Sequence, residues 1–274
     1  MYLMPLPLEA LLAFIFGVVI GSFLDVFVSR LHTGASINDR SHCTSCGHTL
    51  SWYELFPLLS YIFLRGRCRS CGARIPLRLF FMELSTGLLF VCVFLLSQDL
   101  LHMLLGLAIT SVLIATASYD MRHMVIPHEF VFSLLFLAIV QYLLWSDISF
   151  DARLVLLLLS SGALAFVFFG SLWLFSKGKW IGLGDAKLAV PLSLMLLPLD
   201  SFSFIVLSFW IGAGVSVLML LLQKLLASGK HHLSFLPAPL TMKSEVPFAP
   251  FMIAAFLLVY FGHVNVLSLL SHLF

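Results

Sequence analysis

Charge is the scarcest resource in this chain. Only 10% of its 274 residues are Asp, Glu, Lys or Arg, against about a quarter in an ordinary soluble domain. The formal net charge of +2 is too small to point to a nucleic-acid partner. No internal repeat and no low-complexity segment stands out. The first apolar stretch lacks the basic n-region and small-residue cleavage site of an export signal, so no cleavable leader is expected. Five cysteines are too few and too clustered for a secreted disulfide scaffold. What remains is hydrophobic: 61% of the residues, a composition built for lipid.

A membrane helix needs about 20 mainly apolar residues. Eight spans are expected, giving an all-α polytopic membrane protein. They run Leu8–Val28, Leu79–Ser97, Leu101–Tyr119, Phe130–Trp145, Leu154–Phe175, Leu188–Leu199, Phe202–Leu222 and Pro250–Leu270. The sixth is short and bracketed by Pro191 and Pro198, as in broken helices that line a protein cavity. Lysine and arginine collect in alternate loops. Arg30 to Arg78 follow span one, Arg122 span three, Lys177 to Lys187 span five, and Lys224 to Lys243 span seven; Arg153 is the exception. The positive-inside rule makes those loops cytoplasmic and puts both termini outside. Apolar surfaces that face lipid and those that face a partner look alike, so oligomeric state is not read from the pattern.

This organisation divides the chain into a first helix (1–29), a cytoplasmic loop (30–78) and a membrane core (79–274). The loop holds Cys43, Cys46, Cys68 and Cys71 as two C-x-x-C pairs, spaced C-x2-C-x21-C-x2-C. In a thiol-reducing compartment such pairs point to metal rather than disulfides. Four thiolates suit tetrahedral structural zinc and leave no open position for a catalytic water. About fifty residues bury little core alone, so a metal staple is expected. The alternative is four reduced, unliganded thiols. Cys92 on an apolar helix reads as packing, and Glu83 near the start of span two as the partner of a loop arginine or a residue lining the cavity. A second loop, Ala227 to Pro247 with His231 and His232, reads as polar and mobile.

Two aspartates stand out by position. Asp120 ends span three in Ser118-Tyr119-Asp120-Met121-Arg122, and Asp185 lies in Gly182-Leu183-Gly184-Asp185-Ala186-Lys187-Leu188 at the mouth of span six. Both fall at one membrane boundary in this topology. Carboxylates near a bilayer are costly to bury and usually face a protein interior or wet cavity. Two brought close share a proton, which gives one base and one acid. Gly182 and Gly184 leave room for unusual backbone or a close substrate. The bland readings are an Asp120–Arg122 pair and an Asp185–Lys187 pair. Two other classes fit parts of the pattern. One is a transporter with span six as a discontinuous helix; the other is a silent scaffold recruiting partners through the cysteine loop.

Gly21-Ser22-Phe23-Leu24-Asp25-Val26 resembles the G-S-F-L-N-V signature of the type IV prepilin peptidases. Trp52-Tyr53-Glu54, Pro57-Leu58-Leu59-Ser60-Tyr61 and Leu64-Arg65-Gly66-Arg67-Cys68 are similar to that family's cytoplasmic loop. The stretch from Gly182 to Leu188 looks like its G-x-G-D-x-K-L motif, and Val246-Pro247-Phe248-Ala249-Pro250-Phe251 like its V-P-F-G-P-F entry to the last helix. The matches run from the first span to the last. The resemblance implies Asp120 and Asp185 as the catalytic pair, supported by Gly182, Gly184 and Lys187. It further implies prepilin and pseudopilin substrates cut at the cytoplasmic face of the bacterial inner membrane. N-methylation of the new N-terminus by S-adenosylmethionine would follow. Asp25 stands where the family has asparagine, Leu55-Phe56 for Asn-Ile, His128 for an acidic residue and Ala249 for glycine. The changes at Asp25 and Leu55 bear on methyl transfer more than on cleavage.

Overall fold

The computed structural model describes residues 6–34, 36, 38–97, 99–145, 152–227 and 246–271. Among these the chain is helical: α1 (Leu6–Arg30), α2 (Leu59–Phe63), α3 (Leu77–Leu96), α4 (Leu100–His123), α5 (His128–Trp145), α6 (Ala152–Ser176), α7 (Leu183–Leu194), α8 (Pro198–Ala227), α9 (Ala249–Tyr260) and α10 (Val266–Ser271). A 3-10 turn over Trp52–Leu55 and two isolated β-bridges complete the ordered backbone. Five helices (α1, α3, α4, α6 and α8) are long and apolar enough to cross a membrane. The chain is a multi-pass membrane protein. Helices stand near all eight expected spans, but α5, α7 and α9 fall short of that length.

Two of these shortfalls have visible causes. The expected sixth span ends early, because Pro198 opens α8, the first-turn position where its missing N–H costs nothing. Helix α7 therefore occupies Leu183–Leu194 rather than Leu188–Leu199. The expected last span breaks after Tyr260, and Asn265 starts α10 by accepting the Leu267 N–H at 2.9 Å. The polar loop expected over Ala227–Pro247, with His231 and His232, lies outside the described residues over 228–245.

The chain divides into two compact units, Met1–Arg122 and His123–Phe274. In the first, α1 packs along α3 at very short range. A Cβ added at Gly17 would lie 2.8 Å from the Gly87 Cα, and one at Gly87 would lie 2.6 Å from Val18. Only hydrogen side chains fit at that crossing. Cys92 is exposed on the outer face of α3 rather than packed within. In the second unit α7 is central, touching α5, α6, α8 and α9, with Ala186, Leu188, Ala189 and Leu192 fully buried. Its frayed end is satisfied from α5: Gln141 donates to the Met195 carbonyl at 3.2 Å and accepts from Tyr260 at 3.1 Å.

Candidate active site and metal centre

Asp120 lies in the last turn of α4 and is only 5% exposed. Two contacts from the end of α1 flank it within the first unit. Arg122 forms a salt bridge with Asp25, and Tyr119 meets His32 at 3.2 Å. The arginine expected as an alternative partner for Asp120 is thus engaged by Asp25, a residue that the sequence marks only as a departure from asparagine. Both members of the pair are nearly enclosed.

Asp185 belongs to the second unit and is 8% exposed. It is the third residue of α7, whose N-cap is Gly182. The Gly182 backbone N–H donates to the Asp185 carboxylate at 3.1 Å, and the Asp185 N–H donates to the Gly182 carbonyl at 3.2 Å. The carboxylate therefore sits among the unpaired N–H groups of a helix start, which favour negative charge. A Cβ on Gly184 would press on Ile126 at 3.3 Å, so a side chain there disturbs the approach to α7. Lys187 is half-buried and, two residues on, projects roughly 200° around the helix from Asp185.

The four loop cysteines converge. Their sulfurs all lie within 4.8 Å of one another, with Cys43 and Cys71 at 3.9 Å, and none is in a disulfide. A tetrahedral ion with Zn–S bonds of about 2.3 Å places its sulfurs about 3.8 Å apart, so the quartet fits such an ion. Two equivalent turns build it. Gly47 and Gly72, both at positive φ (71° and 72°), donate to the carbonyls of Cys43 and Cys68, each at 2.9 Å. Cys43 and Cys68 in turn donate to His48 and Ala73. Cys-Thr-Ser-Cys-Gly and Cys-Arg-Ser-Cys-Gly are thus a short structural repeat, which corrects the expectation of none. Backbone N–H groups of Cys46 and Ser45 pull the Cys43 thiol down to about 6. Cys71 keeps a backbone hydrogen bond from Ala73, yet the neighbouring thiols push it up to about 11. Crowded thiols that resist joint ionisation are what a divalent cation relieves.

Glu83 is not the partner of a loop arginine in this structure: its carboxylate accepts the Leu58 backbone N–H at 2.7 Å.

Residues 15–97 match the bacterial peptidase A24 N-terminal domain, and residues 107–217 match the type IV leader peptidase family. A prepilin leader peptidase/N-methyltransferase of Bacillus subtilis is 30% identical over 93% of this chain and 95% of its own length. This chain belongs to the type IV leader peptidase family. A relative of the same description from Aeromonas hydrophila is 30% identical, covering 89% of this chain and 87% of itself. Another from Myxococcus xanthus is 33% identical over 78% of this chain, which spans 64% of that protein's length. No solved structure matches the chain. In this leader peptidase family member the two matched regions together take in all of α2, α3, α5, α6 and α7 and parts of α1, α4 and α8, with Asp120 and Asp185 both inside the second.

Proposed function

We propose that this protein is the aspartic endopeptidase that removes the basic leader of type IV prepilins and pseudopilins, with Asp120 and Asp185 as its catalytic pair. The observation that carries the reading is the burial of both carboxylates at helix ends, within a chain of this family. A scaffold gains nothing from two enclosed acids, whose desolvation is costly. The helix ends also divide the labour. Asp185, at the N-terminal start of α7, is assigned the part of base. Asp120, at the C-terminal end of α4, is assigned the part of acid.

In the reaction, the Asp185 carboxylate takes a proton from water as the oxygen attacks the scissile carbonyl carbon. Protonated Asp120 donates to the carbonyl oxygen, where negative charge develops. Collapse of the tetrahedral adduct returns one hydroxyl proton to Asp120 as the carbonyl re-forms and the C–N bond breaks, and the proton taken by Asp185 passes to the leaving amine. Gly182 and Gly184 support this site, with Gly182 orienting the carboxylate, whereas Lys187 points away from Asp185 around α7. The active site and the 30–78 loop face the cytoplasm of the bacterial inner membrane, and residues 79–274 form the peptidase core behind the first helix at 1–29. S-adenosylmethionine is the co-substrate for methylating the newly exposed amine.

Mass spectrometry of a co-expressed prepilin tests both steps. With the protein present the mature N-terminus is expected, one methyl group heavier than the bare amine. An intact leader would overturn the proposal, and a cut but unmethylated product would remove only the methyl transfer.

Cys43, Cys46, Cys68 and Cys71 would hold Zn2+, which, when bound, supplies a structural crosslink between the two turns and no chemistry on substrate. The Cys43→Ser variant is expected to lose most of its zinc and much of its abundance in the membrane. Turnover per remaining folded molecule should be little changed. Metal analysis of the purified variant checks this, and an unaltered stoichiometry would sink it.

A further inference from the structure

The segment from Trp52 to Leu64 is inside out for a water-soluble loop. In the 3-10 turn the one acid, Glu54, is the enclosed residue (8% exposed), while Trp52 is 73% exposed. Glu54 is turned inward by accepting the Ser51 N–H at 2.8 Å and by meeting His48 at 3.5 Å. Helix α2 repeats the inversion: it buries no apolar side chain, and Leu59, Ile62 and Phe63 point outward, Phe63 at 81% exposure. A soluble protein rarely leaves so many adjacent large apolar groups to water.

The depth of this segment says what covers it. Leu58, at a positive φ of 58°, is a strained corner, and its N–H is pinned to Glu83 on α3. The Tyr61 ring packs on Phe80 of α3 with centroids 5.4 Å apart. Glu83 is six residues into a membrane-crossing helix that begins at Leu77, about 9 Å along its axis. The outward apolar groups of α2 therefore stand level with the first turns of a spanning helix, continuous with its own exposed Phe81. Just beyond α2 the pattern changes: Arg65, Arg67, Arg69 and Arg74 are all exposed. Tyr53, Phe56, Phe63 and Arg69 line a groove of about 350 Å³, with the Arg69 guanidinium bonded to the Tyr53 hydroxyl at 2.8 Å.

The geometry points to a monotopic membrane anchor: residues 52–64 lie in the headgroup–acyl boundary of an anionic leaflet, with Trp52, Ile62 and Phe63 in the lipid and the arginines on its phosphates. Apolar groups beside a basic rim are the pattern of interfacial segments, tryptophan favours that depth, and anionic headgroups attract the adjacent arginines. The segment joining the two cysteine turns is then fixed at the bilayer surface, with exposed Ser45 of the first turn on the water side. This inference concerns the first unit alone and stands whether or not the peptidase assignment does.

Photo-crosslinking of the full chain in cells that co-express a prepilin tests it. A benzophenone amino acid replaces Trp52, Phe63 or, as a water-facing control, Ser45, and each purified variant is first shown to be monodisperse. Positions 52 and 63 are expected to gain the mass of one phospholipid on irradiation, and position 45 to gain none. Adducts with the prepilin or with a second copy of this chain would overturn the anchor in favour of a protein-binding face. Absence of any adduct at 52 and 63 would overturn it in favour of exposure to water.

Discussion

Asp120→Asn and Asp185→Asn are each expected to reduce leader removal by on the order of 10³-fold or more, the scale of a positioned acid or base in a transition state. Asparagine keeps the size and a hydrogen-bonding oxygen of aspartate, so each variant should accumulate in the membrane at near-normal levels. The double variant should be scarcely worse than either single one, because residues acting as one unit are strongly non-additive. Quantifying mature against precursor prepilin over time in cells that make each variant provides the measurement. Normal maturation with either single variant would remove that aspartate from the mechanism. A scaffold would show no loss at all.

The second large effect concerns the buried pair beside Asp120. Removing one charge from an enclosed ion pair strands the other, at a cost of about 3–5 kcal/mol. Asp25→Leu or Arg122→Met should therefore sharply lower the thermal unfolding midpoint of the purified protein in detergent. Replacing both leaves no orphaned charge, so the double variant should recover much of the loss. Asp25→Asn should cost less than Asp25→Leu, since an amide oxygen still accepts from the guanidinium although the counter-charge is lost, and the related family pattern carries asparagine there. Arg122 is two residues from Asp120, so the single variants should also lose cleavage in step with stability. A double variant as unstable as the sum of the singles would show that Asp25 and Arg122 are not coupled.

How much of this was legible beforehand differs by type of signal. Hydropathy located the five long helices within a few residues, because the bilayer's thickness imposes one length on every crossing segment. It did not detect that the last apolar run is two helices, since Asn265 interrupts it by hydrogen bonding that an averaged window does not register. Cysteine spacing picked out four thiols that the fold does bring within 4.8 Å of one another. The doubling of the Cys-x-x-Cys-Gly turn is also visible in the letters, as two five-residue strings differing at one position. For Glu83 the expectation was a loop arginine or a place lining the cavity. Its actual partner is a backbone N–H, a kind of donor that carries no residue-type signal. Asp25 looked like a departure from a motif. Its role became readable only when Arg122, from another helix, was seen beside it.

The amino-acid sequence by itself determined that this is a multi-pass membrane protein, which family it belongs to, and which two carboxylates and four thiols are its chemical candidates. Those properties depend on residue type and on separations along the chain. Only the tertiary structure decided that α7 is the central helix of its unit, that Asp25 neutralises Arg122, and that Trp52 and Phe63 face outward while Glu54 faces in. Each of these depends on side chains meeting from distant segments or on which way a turn faces, and neither hydropathy nor spacing encodes direction in space.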